Sequence, residues 1–299
     1  MRQKLEYAVV WVLVKAVGAL PRSLARAAGS SVGRLVYILH RRLRHVGMRN
    51  LALAFPEKTR RQRAKILRGV FVSLGRQAGE LCLFPKLTKD NVRQVVVYDG
   101  FENFDRAFAR GRGVLFLTAH LGAWELSAFA HSLQGHPLQV IMRPLDNPYI
   151  DRLTRQYRTL HGNVMLEKDE SMRGILKAMR AGRTAGVLMD TNMMLSQGIF
   201  VDFFEIPACT TSSVARVALR TGAAVVPGFT IWDPALRKYR LRFEPELRLI
   251  QTGDDEKDVI ANTALFTSVI EDYVRRYPDQ WLWVHRRWKT RPEGEPPLY

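Results

Sequence analysis

The chain has 299 residues, 47% of them apolar and 25% charged, with two cysteines and a formal net charge of +18. That length and apolar content suffice for one large core and exclude a compositionally disordered chain. Cys82 and Cys209 are too few for a disulfide framework, a paired-cysteine metal motif or a redox pair, and they point to a reducing compartment.

The charge is concentrated at the front, where residues 1–70 hold 16 of the 46 Lys and Arg against only Glu6 and Glu57. Such asymmetry suits either nucleic acid or an anionic membrane surface. The neighbouring residues favour the membrane. Tyr7 to Val14 is an unbroken apolar run, followed by Lys15 and then Ala16 to Leu20. Spanning a bilayer takes about 20 mostly apolar residues, so a shallow anchor is favoured over a single pass. No small-residue cleavage site closes the run before Pro21-Arg22, which argues against a secretory signal. A second cluster, Leu35 to Leu39, runs directly into His40-Arg-Arg-Leu-Arg44, and apolar segments beside arginines suit an acidic leaflet. Thr59 is a plausible N-cap for a helix over 60–83, whose Ile66, Leu67, Val70, Phe71 and Leu74 form a stripe for core packing. Residues 1–90 therefore read as a basic, membrane-associated helical region.

From Gly100 the texture alternates. Strands are expected at Val114–Thr118, Leu138–Met142, Asn163–Leu166, Ala185–Asp190, Ala224–Ile231 and Lys238–Phe243. Helices are expected over about 124–134, 147–160, 170–182, 211–221 and 257–277. This alternation predicts an α/β domain over 91–290, a mixed and largely parallel sheet flanked by helices. The Pro/Gly-rich end, 291–299, reads as a loose tail.

One spacing stands out within that domain. His120 and Glu125 flank the exit of the strand Val114–Thr118. In a regular helix an offset of five leaves two side chains roughly 140° apart, so a contact between them needs a bend. Gly122 permits one, and Trp124 onward reads as helix, so both side chains can meet at the carboxyl edge of the sheet. Open α/β folds usually keep their sites at that edge. A histidine paired with a carboxylate there is a general base that can activate a hydroxyl.

Several segments, in order, resemble the bacterial lipid A biosynthesis acyltransferases, the late lauroyl and myristoyl transferases of the glycerolipid acyltransferase superfamily. They are Arg49 to Pro56, Thr118 to Glu125, Met142 to Pro148, Asp190-Thr-Asn192 continuing through Gly198 to Ala208, Val225 to Gly228, and Gln280 to Pro292. The sequence departs from the family pattern at Thr191, where glutamine is frequent, and at Asp202 and Glu205, where proline and glycine are common. The resemblance implies transfer of a fatty acyl group from acyl carrier protein to a hydroxyl of a membrane lipid, at the cytoplasmic side of a bacterial inner membrane. His120 would act as general base and Glu125 would hold its ring, as the acidic member does in a catalytic triad. Arg143 would stabilise the oxyanion or grip a phosphate, with Asn147 and Asp190 as further substrate-binding candidates. His285-Arg286-Arg287 could bind the acidic carrier protein or lipid phosphates, or form a solvated basic face.

No cofactor is implied. A metal shared by His120, Glu125, His131 and His136 is not expected, because their spacings match no common zinc pattern. Nucleic acid is not expected as a partner either. Two other readings keep the His/Glu pair: acylation of another glycolipid or aminolipid, and thioester hydrolysis. A non-catalytic basic binding protein would not need it.

Overall fold

The structure is a computed structural model and describes residues 1–142, 144–167 and 171–299. Four helices lead: α1 (Arg2–Ala19), α2 (Arg22–Leu39), α3 (Arg41–Ala54) and α4 (Arg60–Leu81). The expected cap of α4 is present as a capping box. Thr59 accepts from the Gln62 backbone, and the Gln62 side chain accepts from the Thr59 backbone. Among the described residues, no helix is long and apolar enough to cross a membrane.

α2 and α4 pack backbone against backbone. A Cβ at Gly29 would stand 2.1 Å from the Gly75 carbonyl oxygen, and one at Gly75 would stand 2.1 Å from that of Gly29. Gly33 and Gly79 meet carbonyls of the facing helix in the same way. The seam is charged at one end, where the buried Glu80 accepts from Arg22 at 3.0 Å and from Arg26. Gly75→Ala should therefore lower the melting temperature. Alanine raises helix propensity by about 1 kcal/mol, but forcing the helices apart costs about 1–3 kcal/mol. An unchanged or higher melting temperature would show that the seam can open.

The remaining elements alternate: β1 (Val96–Asp99), α5 (Phe101–Phe108), β2 (Val114–Thr118), α6 (Trp124–Leu133), β3 (Leu138–Met142), α7 (Pro148–Arg158), β4 (Val164–Glu167), α8 (Ser171–Arg180) and β5 (Thr184–Leu188). They continue with β6 (Ile199–Phe203), β7 (Ile206–Thr210), α9 (Ser213–Thr221), β8 (Ala224–Asp233), β9 (Lys238–Phe243) and α10 (Asp255–Arg276). Seven strands form one sheet in the order β1-β9-β8-β2-β5-β3-β4, and every pairing is parallel except β8 with β9. The expected α/β class and largely parallel sheet are present.

Sequence periodicity did not mark β1 or the antiparallel hairpin of β6 and β7. The hairpin turns on Phe204 and Glu205, both left-handed at φ 55° and 59°, as a two-residue turn of the primed type demands. At Glu205 this left-handed backbone carries a side chain, which costs about 1–2 kcal/mol. Asp202, the neighbouring departure, is exposed on β6.

Each face of the sheet buries a core. On one face Leu115, Leu117, Ala185, Val187 and Val225 pack with residues of α8, α9 and α10, and also with Leu67, Val70 and Phe71 of α4. On the other, Phe116, Val226 and Leu241 pack with Phe104 of α5 and Phe129 of α6. α3, through Leu51 and Ala54, and α4 thus share a core with the sheet. The expectation of a loose tail is corrected: Arg291 donates to the Pro207 carbonyl at 2.7 Å, Arg49 donates to the Leu298 carbonyl at 2.9 Å, and the Tyr299 hydroxyl donates to Asn50. Three arginine and tyrosine anchors outweigh the local Pro/Gly composition.

Candidate active site

β2 is buried along its whole length and ends at Thr118, two residues before His120. The chain then turns at Gly122, which has φ +61°, and a Cβ there would stand 1.9 Å from the Thr230 carbonyl oxygen. Only glycine fits both constraints. The turn is pinned by four backbone hydrogen bonds: Gly122 N–H to Gln280 O at 2.9 Å, Ala123 N–H to Thr230 O at 2.8 Å, Leu282 N–H to His120 O at 3.1 Å, and Leu121 N–H to Ala119 O at 2.7 Å. His120 therefore stands on a rigid loop, with its ring edge against Trp124 at 5.2 Å.

The carboxylate that meets this ring is Asp190, not Glu125. β5 lies beside β2 in register, Thr118 opposite Leu188, so the residue two positions beyond β5 arrives next to the residue two positions beyond β2. His120 Nδ1 lies 2.8 Å from Asp190 Oδ1. Asp190 Oδ2 accepts from the His120 backbone N–H at 2.9 Å and from Trp281 Nε1 at 2.8 Å. Asp190 is 3% exposed, and three donors on a buried carboxylate fix its orientation. Because Asp190 cannot donate, Nδ1 carries the hydrogen and Nε2 is the basic nitrogen.

Burial works against charge on both groups, and their mutual attraction wins. For His120, the charge and hydrogen bond of Asp190, with the charge of Glu125, outweigh desolvation and raise the ring above its ordinary value. For Asp190, the His120 charge and the hydrogen bonds from His120 and Trp281 outweigh desolvation and hold the carboxyl down to about 2.

The expected contact between His120 and Glu125 is corrected accordingly. Glu125 sits in the first turn of α6, and a forked ion pair holds it to Arg158 of α7: Arg158 Nε donates to Oε2 at 2.8 Å and Nη2 donates to Oε1. A guanidinium fork matches both carboxylate oxygens, so Glu125 turns toward α7 and acts on His120 through its charge. Both Glu125 and Arg158 line the cavity on which His120 opens. The sequence offers no local mark for Arg158, which lies 33 residues from its partner.

The other expected residues fall in different places. Asn147 caps α7, accepting from Tyr149 N–H at 3.1 Å, and donates to Gln3 O of α1 at 2.9 Å and to Glu6 at 3.2 Å. Its amide ties α1 to α7 and is not among the residues lining the cavity. Arg143 lies outside the described residues. His131 is buried in the aromatic cluster of Phe104 and Phe116, where burial holds its ring down to about 3 and keeps it neutral.

His285 and Arg287, read from the sequence as binding or surface residues, are anchors behind the site. Arg287 is fully buried and donates to Cys209 O at 2.9 Å and to Thr210, fixing β7 beside the loop after Asp190. Asn192 N–H donates to His285 Nε2 at 3.0 Å, and burial holds His285 down to about 4, so this ring stays an acceptor. His285 and Arg287 are thus fold residues and not part of a solvated basic face.

The cavity has a volume of about 700 Å³ and runs from His120, Thr118 and Trp124 at its mouth to Phe116, Phe129 and Leu138 at its depth. A basic nitrogen at the rim of a deep, mostly apolar cavity can deprotonate a hydroxyl while a hydrocarbon chain occupies the interior.

Residues 1–290 match the family described as bacterial lipid A biosynthesis acyltransferase. Among similar proteins, the lipid A biosynthesis lauroyltransferase of Escherichia coli is 29% identical over 97% of this chain and 92% of its own length. The palmitoleoyltransferase of the same organism is 27% identical over 97% of this chain and 92% of its own length. Its myristoyltransferase is 24% identical over 88% of this chain and 80% of its own.

Proposed function

Because the chain belongs to the bacterial lipid A biosynthesis acyltransferase family, we propose that it transfers a fatty acyl chain from acyl carrier protein to a hydroxyl of a lipid A precursor. The observation that carries this reading is the His120–Asp190 pair at the mouth of a deep, largely apolar cavity. His120 Nε2 takes the proton of the acceptor hydroxyl as its oxygen attacks the thioester carbonyl. The carbon–sulfur bond then breaks, and the thiolate leaves with the proton returned from the imidazolium. Asp190 keeps the hydrogen on Nδ1 and stabilises the charged ring, while Glu125 adds negative charge nearby. Arg143, which follows the cavity residue Met142 in sequence, takes the oxyanion or phosphate role in this reading.

The membrane side of the proposal rests on α1 and α2. Leu5, Val9, Val12 and Leu13 of α1 and Leu24, Val32, Leu35 and Ile38 of α2 are all more than half exposed. Apolar faces of that kind beside a strongly basic sequence suit immersion in the interface of an anionic leaflet, the inner membrane's cytoplasmic face. Asn147 and the Tyr7–Tyr149 ring contact, 5.8 Å between centroids, link α1 to α7, whose Arg158 borders the cavity. An acceptor lipid held in that leaflet would meet His120 without leaving the bilayer.

Incubating the detergent-purified chain with acyl carrier protein thioesters and tetra-acylated Kdo-lipid A precursor should give a product heavier by one acyl chain, read by mass spectrometry. Thioester consumption without a heavier lipid would instead identify a hydrolase or a different acceptor.

A further inference from the structure

Gly186 lies in the middle of β5, where glycine weakens a strand and usually marks a close approach. Nothing in the fold demands it. Its φ is not left-handed, and a Cβ built there meets only Leu138 Cδ1 at 3.4 Å and Val140 Cγ2 at 3.9 Å, ordinary packing distances. The glycines of the α2–α4 seam and Gly122 each face a backbone carbonyl oxygen closer than 2.5 Å, and Gly186 faces none. What a side chain at 186 would occupy is space in the cavity.

The register shows how. Gly186 pairs with Phe116 of β2 on one side and Val140 of β3 on the other, and residues so paired in parallel strands present the same face. All three line the cavity, with Phe129 of α6 on the opposite wall and Leu138 one row deeper. At about 3.3 Å per residue, Phe116 and Gly186 lie roughly 13 Å below His120 along the strand. Asn163, which also lines the cavity, has its amide engaged: it accepts from Leu138 N–H at 2.8 Å and donates to Ala128 O and Arg158 O, both at 3.2 Å. Ser127 of α6 also lines the cavity, its Oγ without a hydrogen-bond partner among the described residues, but the wall around position 186 is built from Phe116, Phe129, Leu138 and Val140, and Gly186 adds no side chain to it.

We propose that Gly186 sets the length of acyl chain the protein accepts, by leaving the groove open between Phe116 and Val140 for the end of the chain. The inference rests on the acyl-transfer reading above for its occupant, a linear saturated or monounsaturated hydrocarbon. Its location is independent of that reading.

The test uses the full chain and its Gly186→Ala and Gly186→Val variants in two measurements. In the first, a homologous series of acyl carrier protein thioesters is compared by kcat/KM with the lipid A precursor as acceptor. The variants should keep activity toward shorter chains and lose about tenfold for each methylene that no longer fits, with valine shortening the optimum further than alanine. In the second, saturated fatty acids of the same series displace a bound fluorescent fatty acid, which needs no turnover. The preferred length should shorten there too. An unchanged length preference in folded variants, or an equal loss for every chain length, overturns the assignment. If the unaltered protein acylates no lipid but the displacement preference shortens in the variants, the groove inference stands and the acyl-transfer reading fails.

Discussion

His120→Gln is expected to lower the rate of acyl transfer by ~10²–10⁴-fold while the protein keeps its fold, because a positioned general base contributes about that much to catalysis. Glutamine is close in size, and the loop does not depend on the imidazole. Its backbone N–H to Asp190 and its carbonyl bond from Leu282 both remain. The measurement is kcat/KM for lipid acylation alongside a thermal melt. A variant that melts normally and retains more than about a tenth of the activity would remove His120 from the chemistry.

Asp190→Asn is expected to cost as much, up to about 10⁴-fold, by a different route. In the native site Oδ2 serves two donors, the His120 backbone N–H and Trp281 Nε1, and Oδ1 serves the ring. An asparagine that keeps both donors on its single oxygen must aim its NH₂ at Nδ1. That forces the hydrogen onto Nε2 and leaves no base facing the substrate. The pH profile separates this from simple loss of packing. In the proposed mechanism transfer requires neutral His120, and Asp190 raises the ring, so native activity should fall as the pH drops through a value above histidine's ordinary one. With Asp190 uncharged, the ring loses that support, and the acid limb of the residual activity should move to lower pH. An acid limb that stays in place would mean that Asp190 does not hold the imidazolium.

The partnership of His120 with Asp190 was hidden in the sequence for a definite reason. Periodicity located β2 and β3 to the residue, and it placed β5 within a residue or two, but strand order is a tertiary fact. Once β5 sits beside β2, His120 and Asp190 become neighbours although 70 residues separate them. Glu125, the near neighbour in sequence, is drawn away by Arg158, whose helix no local pattern connects to the strand exit. The same limit applies to Asn147. Its place before Pro148 announces a helix cap, which the structure contains, while its bonds to Gln3 and Glu6 depend on where α1 lies. Among the described residues β1 pairs with β9 alone, and its four residues gave too short a pattern to read. Hydrophobic periodicity thus carried the sheet, and side-chain pairing across it had to be seen.

The loop that presents His120 is closed from the far end of the chain. Gln280, Trp281 and Leu282 supply the acceptor for Gly122, a donor for Asp190 and the donor to the His120 carbonyl. During synthesis on the ribosome, α1 and α2 emerge well before those three residues. In a nascent chain α1 and α2 are therefore complete well before the loop carrying His120 can be closed, and that closure waits until residues 280–282 have been released to dock. Any chain cut short of that point would have its four leading helices and no closed loop around His120.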